Sequence, residues 1–214
     1  MPIPELMTGW QRFKAGRFRE QQDLFERIAR EGQRPSTAMI ACCDSRVDPA
    51  ILFDCDPGSL FLVRNVANLV PPHEEGGAYH GTSAAIEFAA VVLGVQHVVV
   101  LGHSRCGGIR ALLDGAPAGE PMPFLESWMK IAEEAKWTAR AVAEGRPDDR
   151  AEYCAQLAIG LSLRNLQSFP SVRARVESGA LKLHGWYFDL HDGELWMLDQ
   201  DRGRFVMAPT YPAG

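Results

Sequence analysis

Near the start of the chain, apolar residues recur at helical spacing among charged and amide side chains. They are Leu6, Trp10, Phe13, Leu24, Phe25 and Ile28. The pattern stops near Gly32, and glycine commonly follows the last residue of a helix. We therefore predict one or two amphipathic helices over residues 4–31 and treat residues 1–32 as a helical N-terminal arm. Such an arm could pack on the rest of the chain or on a partner subunit.

Three short apolar runs follow the arm, and each is rich in β-branched residues and bounded by turn-forming residues. They are STAMIAC (36–42), SLFLVRN (59–65) and HVVVLGH (97–103). None alternates cleanly between apolar and polar positions, which is typical of strands buried on both faces of a parallel sheet. The run TSAAIEFAAVVLG (82–94) predicts a helix that Thr82 could cap. The order strand, helix, strand indicates a right-handed βαβ unit.

The second half of the chain reads as helices and then a hairpin. A segment rich in Pro and Gly, residues 114–123, predicts a surface loop, and the helices are expected at 124–144, 149–168 and 170–178. The runs LKLHGWYFDL and ELWMLD flank a turn at His191, Asp192 and Gly193, a pattern typical of an antiparallel hairpin at a sheet edge. The predicted fold class is α/β, a mostly parallel central sheet flanked by helices, with a helical N-terminal arm and a C-terminal antiparallel hairpin.

The length and the charge of the chain limit the expected number of domains and the classes of partner it can bind. With 214 residues and 46% apolar residues, the chain can bury one large core, so we expect a single domain over residues 1–214. Its formal charge of -5 lacks the basic excess that nucleic acids and anionic lipids attract, so neither is an expected partner. We find no apolar run of the ~20 residues that cross a bilayer and no export signal, which predicts a cytoplasmic protein.

Chemistry-bearing residues stand where two of the predicted strands end. The first strand runs into Cys42, and the third runs into His103, with Cys106 on the same tight turn. Ligands of open parallel sheets bind beyond the carboxyl ends of the strands. Cysteine and histidine are the usual ligands of zinc, and three of them leave a fourth position open, as catalytic sites do, whereas structural sites are closed by four. We therefore predict one catalytic Zn²⁺ per chain.

The remaining cysteines and histidines are assigned no ligand role. Cysteine after a strand is often a small buried hydrophobe, and histidine is often a surface or hydrogen-bonded residue. The residues so assigned are Cys43, Cys55, Cys154, His73, His80, His97, His184 and His191. A thiol-redox or zinc-storage protein without a substrate pocket stays open as an alternative.

Asp44 and Arg46 follow the first candidate ligand. Their spacing also suits an ordinary turn pair. Beside a metal, however, a bidentate Arg–carboxylate contact would hold Asp44 off the metal, lower its pKa and leave it as a hydrogen-bond acceptor.

The segments ACCDSRVDP, VRNVANLVPP and HGTSAAIEFAAVVLGVQHVVVLGHSRCGGI resemble the beta-class carbonic anhydrases over most of residues 33–112. The resemblance implies that Cys42, His103 and Cys106 bind the zinc and that Asp44 and Arg46 are the catalytic dyad. It also implies the reaction, in which a zinc-bound hydroxide attacks carbon dioxide to give bicarbonate and a proton. Nothing in composition or spacing points to that substrate. Self-association as a homodimer or homotetramer is a further implication.

The resemblance further separates two groups within the family. Gln33 stands where the constitutively open group has a substrate-assisting Gln, and the resemblance implies that Gln33, Val47, Phe88 and Gly107 line the substrate site. A second group, regulated by a non-catalytic bicarbonate site, has Trp where this chain has Met39. We therefore expect the open type. Hydrolysis of carbonyl sulfide or carbon disulfide on the same fold stays open.

Overall fold

The computed structural model describes residues 1–76, 80–115, 121–142 and 147–210. The helices are α1 (Ile3–Ala15), α2 (Arg17–Glu20), α3 (Gln22–Glu31), α4 (Pro49–Leu52), α5 (Gly81–Glu87), α6 (Gly107–Asp114), α7 (Pro123–Met129), α8 (Glu133–Val142), α9 (Pro147–Leu166) and α10 (Pro170–Glu177). The strands are β1 (Thr37–Cys42), β2 (Leu60–Asn65), β3 (His97–His103), β4 (Lys182–Phe188), β5 (Leu195–Asp199) and β6 (Arg204–Met207).

The strands form one six-stranded sheet in the order β2-β1-β3-β4-β5-β6. The first four in this order are parallel, and β5 and β6 are added antiparallel at one edge. The α/β fold class is confirmed, including the C-terminal antiparallel hairpin of β4 and β5. Because β1 and β3 are parallel neighbours, their last residues, Cys42 and His103, lie side by side at the carboxyl ends of the strands.

The two faces of the sheet are covered unequally. One face carries the main hydrophobic core, which includes Ile40 and Val100 of the strands and Ile159 of α9. Residues of α5 through α10 contribute to that same core. The opposite face carries a much smaller cluster built on Met39, Ala41, Val99 and Leu101. Leu62, which pairs with Met39, is 37% exposed, so part of this second face is open.

The helical N-terminal arm is confirmed as three helices, α1 to α3. Phe13, Phe18 and Phe25 hold them together, with ring centroids 4.9–6.0 Å apart. None of the residues of these helices is buried. The exposed apolar side chains of α1 are Ile3, Leu6, Met7, Trp10 and Phe13. An apolar stripe of this kind on a lone arm is a surface that another molecule could cover.

The structure differs from the predicted elements in four places. A short strand, β6, extends the sheet beyond the predicted hairpin, and the four-residue helix α4 had no periodic signal. The helix expected at 124–144 is divided into α7 and α8 by a 3₁₀ turn at Lys130–Ala132. The helix expected at 82–94 ends in a π-helical turn at Phe88–Val92. Of the predicted loop 114–123, residues 116–120 lie outside the described residues.

Within the described ranges, none of the helices combines the length and the hydrophobicity that crossing a bilayer requires. The single-domain organisation and the cytoplasmic location stay predictions.

Candidate metal centre and active site

The carboxyl ends of β1 and β3 bring Cys42, His103 and Cys106 together. Cys42 is the last residue of β1, His103 is the last residue of β3, and Cys106 is the N-cap of α6. All three are buried, and their ligand atoms lie within 4.8 Å of one another. Arg105, in the left-handed region at φ 55°, makes the tight turn that returns Cys106 towards His103.

These residues fit a zinc ion. The Sγ atoms of Cys42 and Cys106 are 3.9 Å apart, close to the ~3.8 Å that two ~2.3 Å bonds at a tetrahedral angle give. His103 Nδ1 lies 2.8 Å from the carbonyl oxygen of Ser104, to which it donates as the Nδ1–H tautomer. Its Nε2 is buried and has no hydrogen-bond partner in the described part of the chain. Metal-ligating histidines typically have this arrangement, in which a hydrogen bond at one ring nitrogen orients the other, unpaired nitrogen towards the metal.

The contact between the two cysteines shifts their pKa values in opposite directions and favours loss of the Cys42 proton before that of Cys106. The pKa of Cys42 is lowered, chiefly because Cys106 donates a hydrogen bond to its thiolate, and His103 acts in the same sense. The pKa of Cys106 is raised, chiefly by this same contact and then by burial. The backbone N–H groups of Ile109 and Gly108, at the start of α6, favour its thiolate. A divalent cation would release the remaining proton, because metal binding requires thiolates.

Arg46 forms a bidentate ion pair with the carboxylate of Asp44. Its Nε donates to Asp44 Oδ1 at 2.9 Å and its Nη2 to Oδ2 at 2.7 Å, and its backbone N–H donates to Oδ1 at 3.0 Å. These contacts, opposed by partial burial, hold the pKa of Asp44 well below its usual range. Asp44 Oδ2 lies 4.0 Å from His103 Nε2, so the ionised carboxylate borders the ligand cluster.

Arg64 fastens the loop that carries Asp44, a role that the sequence did not reveal. Its guanidinium donates to the carbonyl oxygens of Cys42, Asp44 and Val47 and to the carboxylate of Asp48. The four contacts range from 2.7 to 3.1 Å. The available signal was a charged residue within the otherwise apolar run SLFLVRN.

A strained turn after β2 forms the wall behind the ligands. Ala67 and Asn68 both have positive φ, at 62° and 48°, and both are buried. Asn65 holds the turn closed, because its side chain donates to the carbonyl of Leu69 and accepts from the Leu69 N–H, each at 2.9 Å. Left-handed conformations of non-glycine residues are unfavourable and persist where the surroundings enforce them.

The two glycines that open α6 are not equivalent. A Cβ on Gly108 would lie 2.7 Å from Val66 Cγ1 and 3.1 Å from Ala67 Cβ, whereas one on Gly107 would meet nothing within 4 Å. We expect Gly108→Ala to reduce the free energy of unfolding by about 1–3 kcal/mol through overpacking. Gly107→Ala is expected to leave it unchanged or slightly higher. Urea unfolding of the two matched variants checks this, and equal stabilities would contradict it.

Of the other expected substrate-site residues, Gln33 and Phe88 lie apart from the ligand cluster of the same chain. Gln33 is exposed and precedes β1, whose length of roughly 17 Å separates it from Cys42. Phe88 stacks on Phe61 of β2 at 5.8 Å, and Phe61 pairs with Ala38 in the first half of β1. Val47 packs in the main core, and Gly107 is exposed at the first turn of α6.

Cys43 is exposed and faces a cavity of about 850 Å³ rather than the ligand cluster. Arg64, Val66, Phe124 and Trp128 also line that cavity. Trp128 Nε1 donates to the Val66 carbonyl at 2.8 Å, which ties α7 to the wall of the site. Val66 thus lies between the cavity and Gly108, and no pattern in the sequence had singled it out.

The other residues that were assigned no ligand role are dispersed. Cys154 is buried in α9, and burial raises its pKa to about 11. His97 and His184 contact each other at 3.1 Å across β3 and β4. His73 packs edge-on against Phe169, and His191 contacts Asp192. In the described ranges, the three candidate ligands are the sole cluster of three or more such groups placed to hold a metal.

Comparison with known proteins decides the family. The sequence profile of the carbonic anhydrase family matches residues 37–195. The chain belongs to the carbonic anhydrase family. It is 36% identical over 201 residues to a carbonic anhydrase of Synechocystis, an alignment that covers 92% of this chain and 71% of that protein.

Solved structures place the chain among the beta-class carbonic anhydrases. The beta-carbonic anhydrase CcaA superposes with a TM-score of 0.89 at 34% identity, over 97% of this chain and 92% of that one. A tetrameric beta-carbonic anhydrase of Sordaria macrospora gives a TM-score of 0.79 at 26% identity, over 92% of this chain and 96% of that one. The resemblance seen in the sequence is therefore confirmed.

Proposed function

We propose that this carbonic anhydrase holds one Zn²⁺ through Cys42, His103 and Cys106 and catalyses the reversible hydration of carbon dioxide to bicarbonate and a proton. The observation that carries the proposal is the buried ligand cluster, with its partnerless His103 Nε2 and its 3.9 Å Sγ–Sγ spacing, in a chain of this family. When bound, zinc supplies a Lewis acid that makes a coordinated water acidic.

Residues of the chain itself set the orientation and the protonation state of the three proposed ligands. The Ser104 carbonyl fixes the tautomer of His103 and leaves Nε2 as its donor atom. The N-terminus of α6 favours the thiolate of Cys106. Two thiolates and a neutral imidazole would cancel the charge of the divalent ion, so stabilisation of further negative charge has to come from neighbouring groups.

Asp44 has the acceptor role in this proposal. Because Arg46 occupies both of its oxygens and keeps it ionised, the carboxylate cannot readily move to the metal. It can accept a hydrogen bond from the reacting water at Oδ2, the oxygen that faces His103. That bond would orient the water oxygen towards the carbon of the substrate.

Metal removal and restoration test the proposal. Chelation of the metal should abolish carbon dioxide hydration followed with a pH indicator, and one equivalent of Zn²⁺ per chain should restore it. Hydration that persists in protein verified to be metal-free would contradict the proposal. Full zinc binding without any hydration would favour the zinc-storage alternative.

We also propose that the minimal working unit is a homodimer, in which the arm of one subunit covers the open sheet face of the other. Two such dimers can pair into a tetramer. The exposed stripe of α1 and the sparsely covered face around Met39 and Leu62 support this. So does the separation of Gln33 and Phe88 from the ligands of their own chain, because a partner subunit can bring both to the site. A tetrameric beta-carbonic anhydrase is among the structural relatives.

Trp10→Asp should weaken the dimer. A charge in place of an exposed aromatic anchor is expected to raise the dimer dissociation constant by roughly 30-fold or more, since Trp residues often dominate interfaces. Sedimentation velocity measures this. Thr8→Asp, which adds the same charge on the opposite side of α1, is the matched control. A fully active monomer of the wild type at assay concentration would contradict the dimer.

The open type predicts simple inhibition by bicarbonate. Met39 is buried and has no hydrogen-bond donor to offer a second anion, whereas a Trp at this position would have one. Bicarbonate should therefore inhibit along a hyperbolic curve in initial-rate assays. A sigmoidal curve would show that a cooperative anion site exists without the Trp.

A further inference from the structure

Ser104, the residue after the candidate ligand His103, is held by hydrogen bonds at each of its polar groups. The residue is 1% exposed. Its carbonyl oxygen accepts from His103 Nδ1 at 2.8 Å, and its backbone N–H donates to the Phe188 carbonyl at 2.9 Å. Its hydroxyl accepts from the Leu190 N–H at 2.8 Å and donates to Asp189 Oδ1 at 3.3 Å. The serine therefore joins the candidate metal centre to the end of β4 and to the turn that follows it.

The hydroxyl of Ser104 takes a place in the sheet that a backbone carbonyl normally fills. Strands β3 and β4 are parallel, and their register pairs His103 with Phe188. In a parallel ladder, a residue whose N–H donates to one partner residue accepts, at its own carbonyl, from the N–H two positions further along the partner strand. The Ser104 N–H donates to Phe188, so the regular ladder would bring the Leu190 N–H to the Ser104 carbonyl. That N–H donates to the Ser104 hydroxyl instead.

This exchange keeps the Ser104 carbonyl for the imidazole of His103. We propose that Ser104 is a positioning residue of the metal centre, because its hydroxyl satisfies the Leu190 N–H and so reserves the carbonyl for His103 Nδ1. A hydrogen bond at one ring nitrogen orients the other nitrogen of a metal-ligating histidine. The inference rests on the zinc site proposed above, and it assigns Ser104 no contact with the metal or the substrate.

Asp189 orients the hydroxyl of Ser104. Its Oδ1 also accepts from the His191 N–H at 2.7 Å, which fixes the carboxylate within the turn after β4. A hydroxyl that donates to this oxygen keeps its lone pairs for the Leu190 N–H. Because the contact between Ser104 and Asp189 is long for an O–H donor, the contribution of Asp189 is the smaller of the two.

Removing the hydroxyl should return the Leu190 N–H to the carbonyl of residue 104. That oxygen would then serve two donors, and hydrogen bonds at a carbonyl depend on the direction of approach, so it would hold the imidazole of His103 less firmly. Outer partners of metal-ligating histidines typically contribute about 10–100-fold to metal affinity. We therefore expect Ser104→Ala to raise the zinc dissociation constant by about 10–100-fold.

Chelator competition on zinc-loaded protein measures this change. Ser104→Thr retains a hydroxyl and should have a zinc affinity close to that of the wild type. Asp189→Asn retains an acceptor oxygen and should also stay close to the wild type. Asp189→Leu removes the acceptor and should raise the dissociation constant by less than Ser104→Ala does.

Ser168→Ala is the matched control. The Ser168 hydroxyl also accepts a backbone N–H from a distant segment, that of His73 at 2.7 Å, and it donates to the Asn165 carbonyl at 2.6 Å. The substitution therefore removes the same kind of hydrogen bonds from a serine that has no contact with the candidate ligands. It should reduce the free energy of unfolding in urea and leave zinc affinity unchanged.

Cobalt substitution separates positioning from stability. Co²⁺ loaded in place of zinc reports the geometry of its ligands through its visible absorption spectrum, which a change in the free energy of unfolding does not alter. Ser104→Ala should change the positions or intensities of these bands. Ser104→Thr and Ser168→Ala should give the wild-type spectrum.

The outcomes distinguish this inference from the proposed function. Wild-type zinc affinity and an unchanged cobalt spectrum in Ser104→Ala would overturn the inference and leave the hydration reaction standing. An equal loss of zinc affinity in Ser168→Ala would also overturn it, since the effect would then be one of stability. If Ser104→Ala does not fold, unchanged zinc affinity in Asp189→Leu overturns it. A wild type that binds no zinc would overturn the metal site itself.

Discussion

Cys106→Ser is expected to leave a folded protein that retains little zinc and has lost nearly all carbon dioxide hydration. The thiolate is one of the three proposed ligands, and a serine hydroxyl does not ionise at neutral pH to replace it. Without the Lewis acid the rate should fall by more than roughly a thousandfold. Zinc analysis by mass spectrometry and stopped-flow kinetics on the same preparation measure both effects.

Cys43→Ser is the matched control, because Cys43 is the adjacent cysteine of the first pair. Its side chain is exposed and lies outside the ligand cluster, so zinc content and activity should stay at the wild-type level. Full zinc occupancy in Cys106→Ser would remove Cys106 from the site. Zinc loss in Cys43→Ser, with retention in a Cys42→Ser variant, would mean that the other cysteine of the pair is the ligand.

Arg46→Ala should separate catalysis from metal binding. The variant loses both side-chain hydrogen bonds to Asp44, so the carboxylate becomes free to approach the metal and compete with the reacting water. Residues that orient groups around a metal typically contribute about 10–100-fold to activity, and we expect a fall of about a hundredfold in kcat/KM with zinc still bound. Stopped-flow hydration and zinc analysis provide the two readouts.

A double-mutant cycle tests whether Arg46 acts through Asp44. If Arg46 serves to hold this carboxylate, Arg46→Ala should cost little more in a chain that already carries Asp44→Asn. Independent, multiplicative losses would show that the two residues contribute separately. Zinc loss in Arg46→Ala would instead make the arginine part of the metal site's stability.

The candidate metal ligands were predictable because they stand at, or just after, the ends of buried strands. Cys42 and His103 end runs whose β-branched composition marks a parallel sheet, and parallel neighbours bring such ends to one edge. The short turn from His103 to Cys106 then limits where the second thiol can lie. At these three positions the residue types, the predicted strands and the parallel pairing of the strands all indicate the same cluster. Local sequence patterns were therefore enough to predict it.

Other features depend on contacts that no local pattern encodes. Arg64 reads as a charge within a strand, and only the fold shows that its guanidinium fastens the loop of Asp44. The strand β6 has four residues, too few for a period to emerge.

The expected substrate-site residues show what cannot be predicted when a site needs a second subunit. The resemblance assigned roles to Gln33 and Phe88, but neither role can be derived from one chain, because strand lengths of roughly 13–17 Å separate these residues from the ligands. Whether a partner supplies them is a question of assembly. Their assignment therefore stays a prediction that the dimer experiment bears on.

Stopped-flow measurement of zinc-loaded protein with carbon dioxide, and with carbonyl sulfide under the same conditions, tests the central claim most directly. We predict hydration of carbon dioxide with kcat/KM above about 10⁴ M⁻¹s⁻¹, the lower end of the usual enzyme range, and much slower hydrolysis of carbonyl sulfide. Carbon dioxide hydration no faster than in buffer, from protein with one zinc bound per chain, would contradict the account.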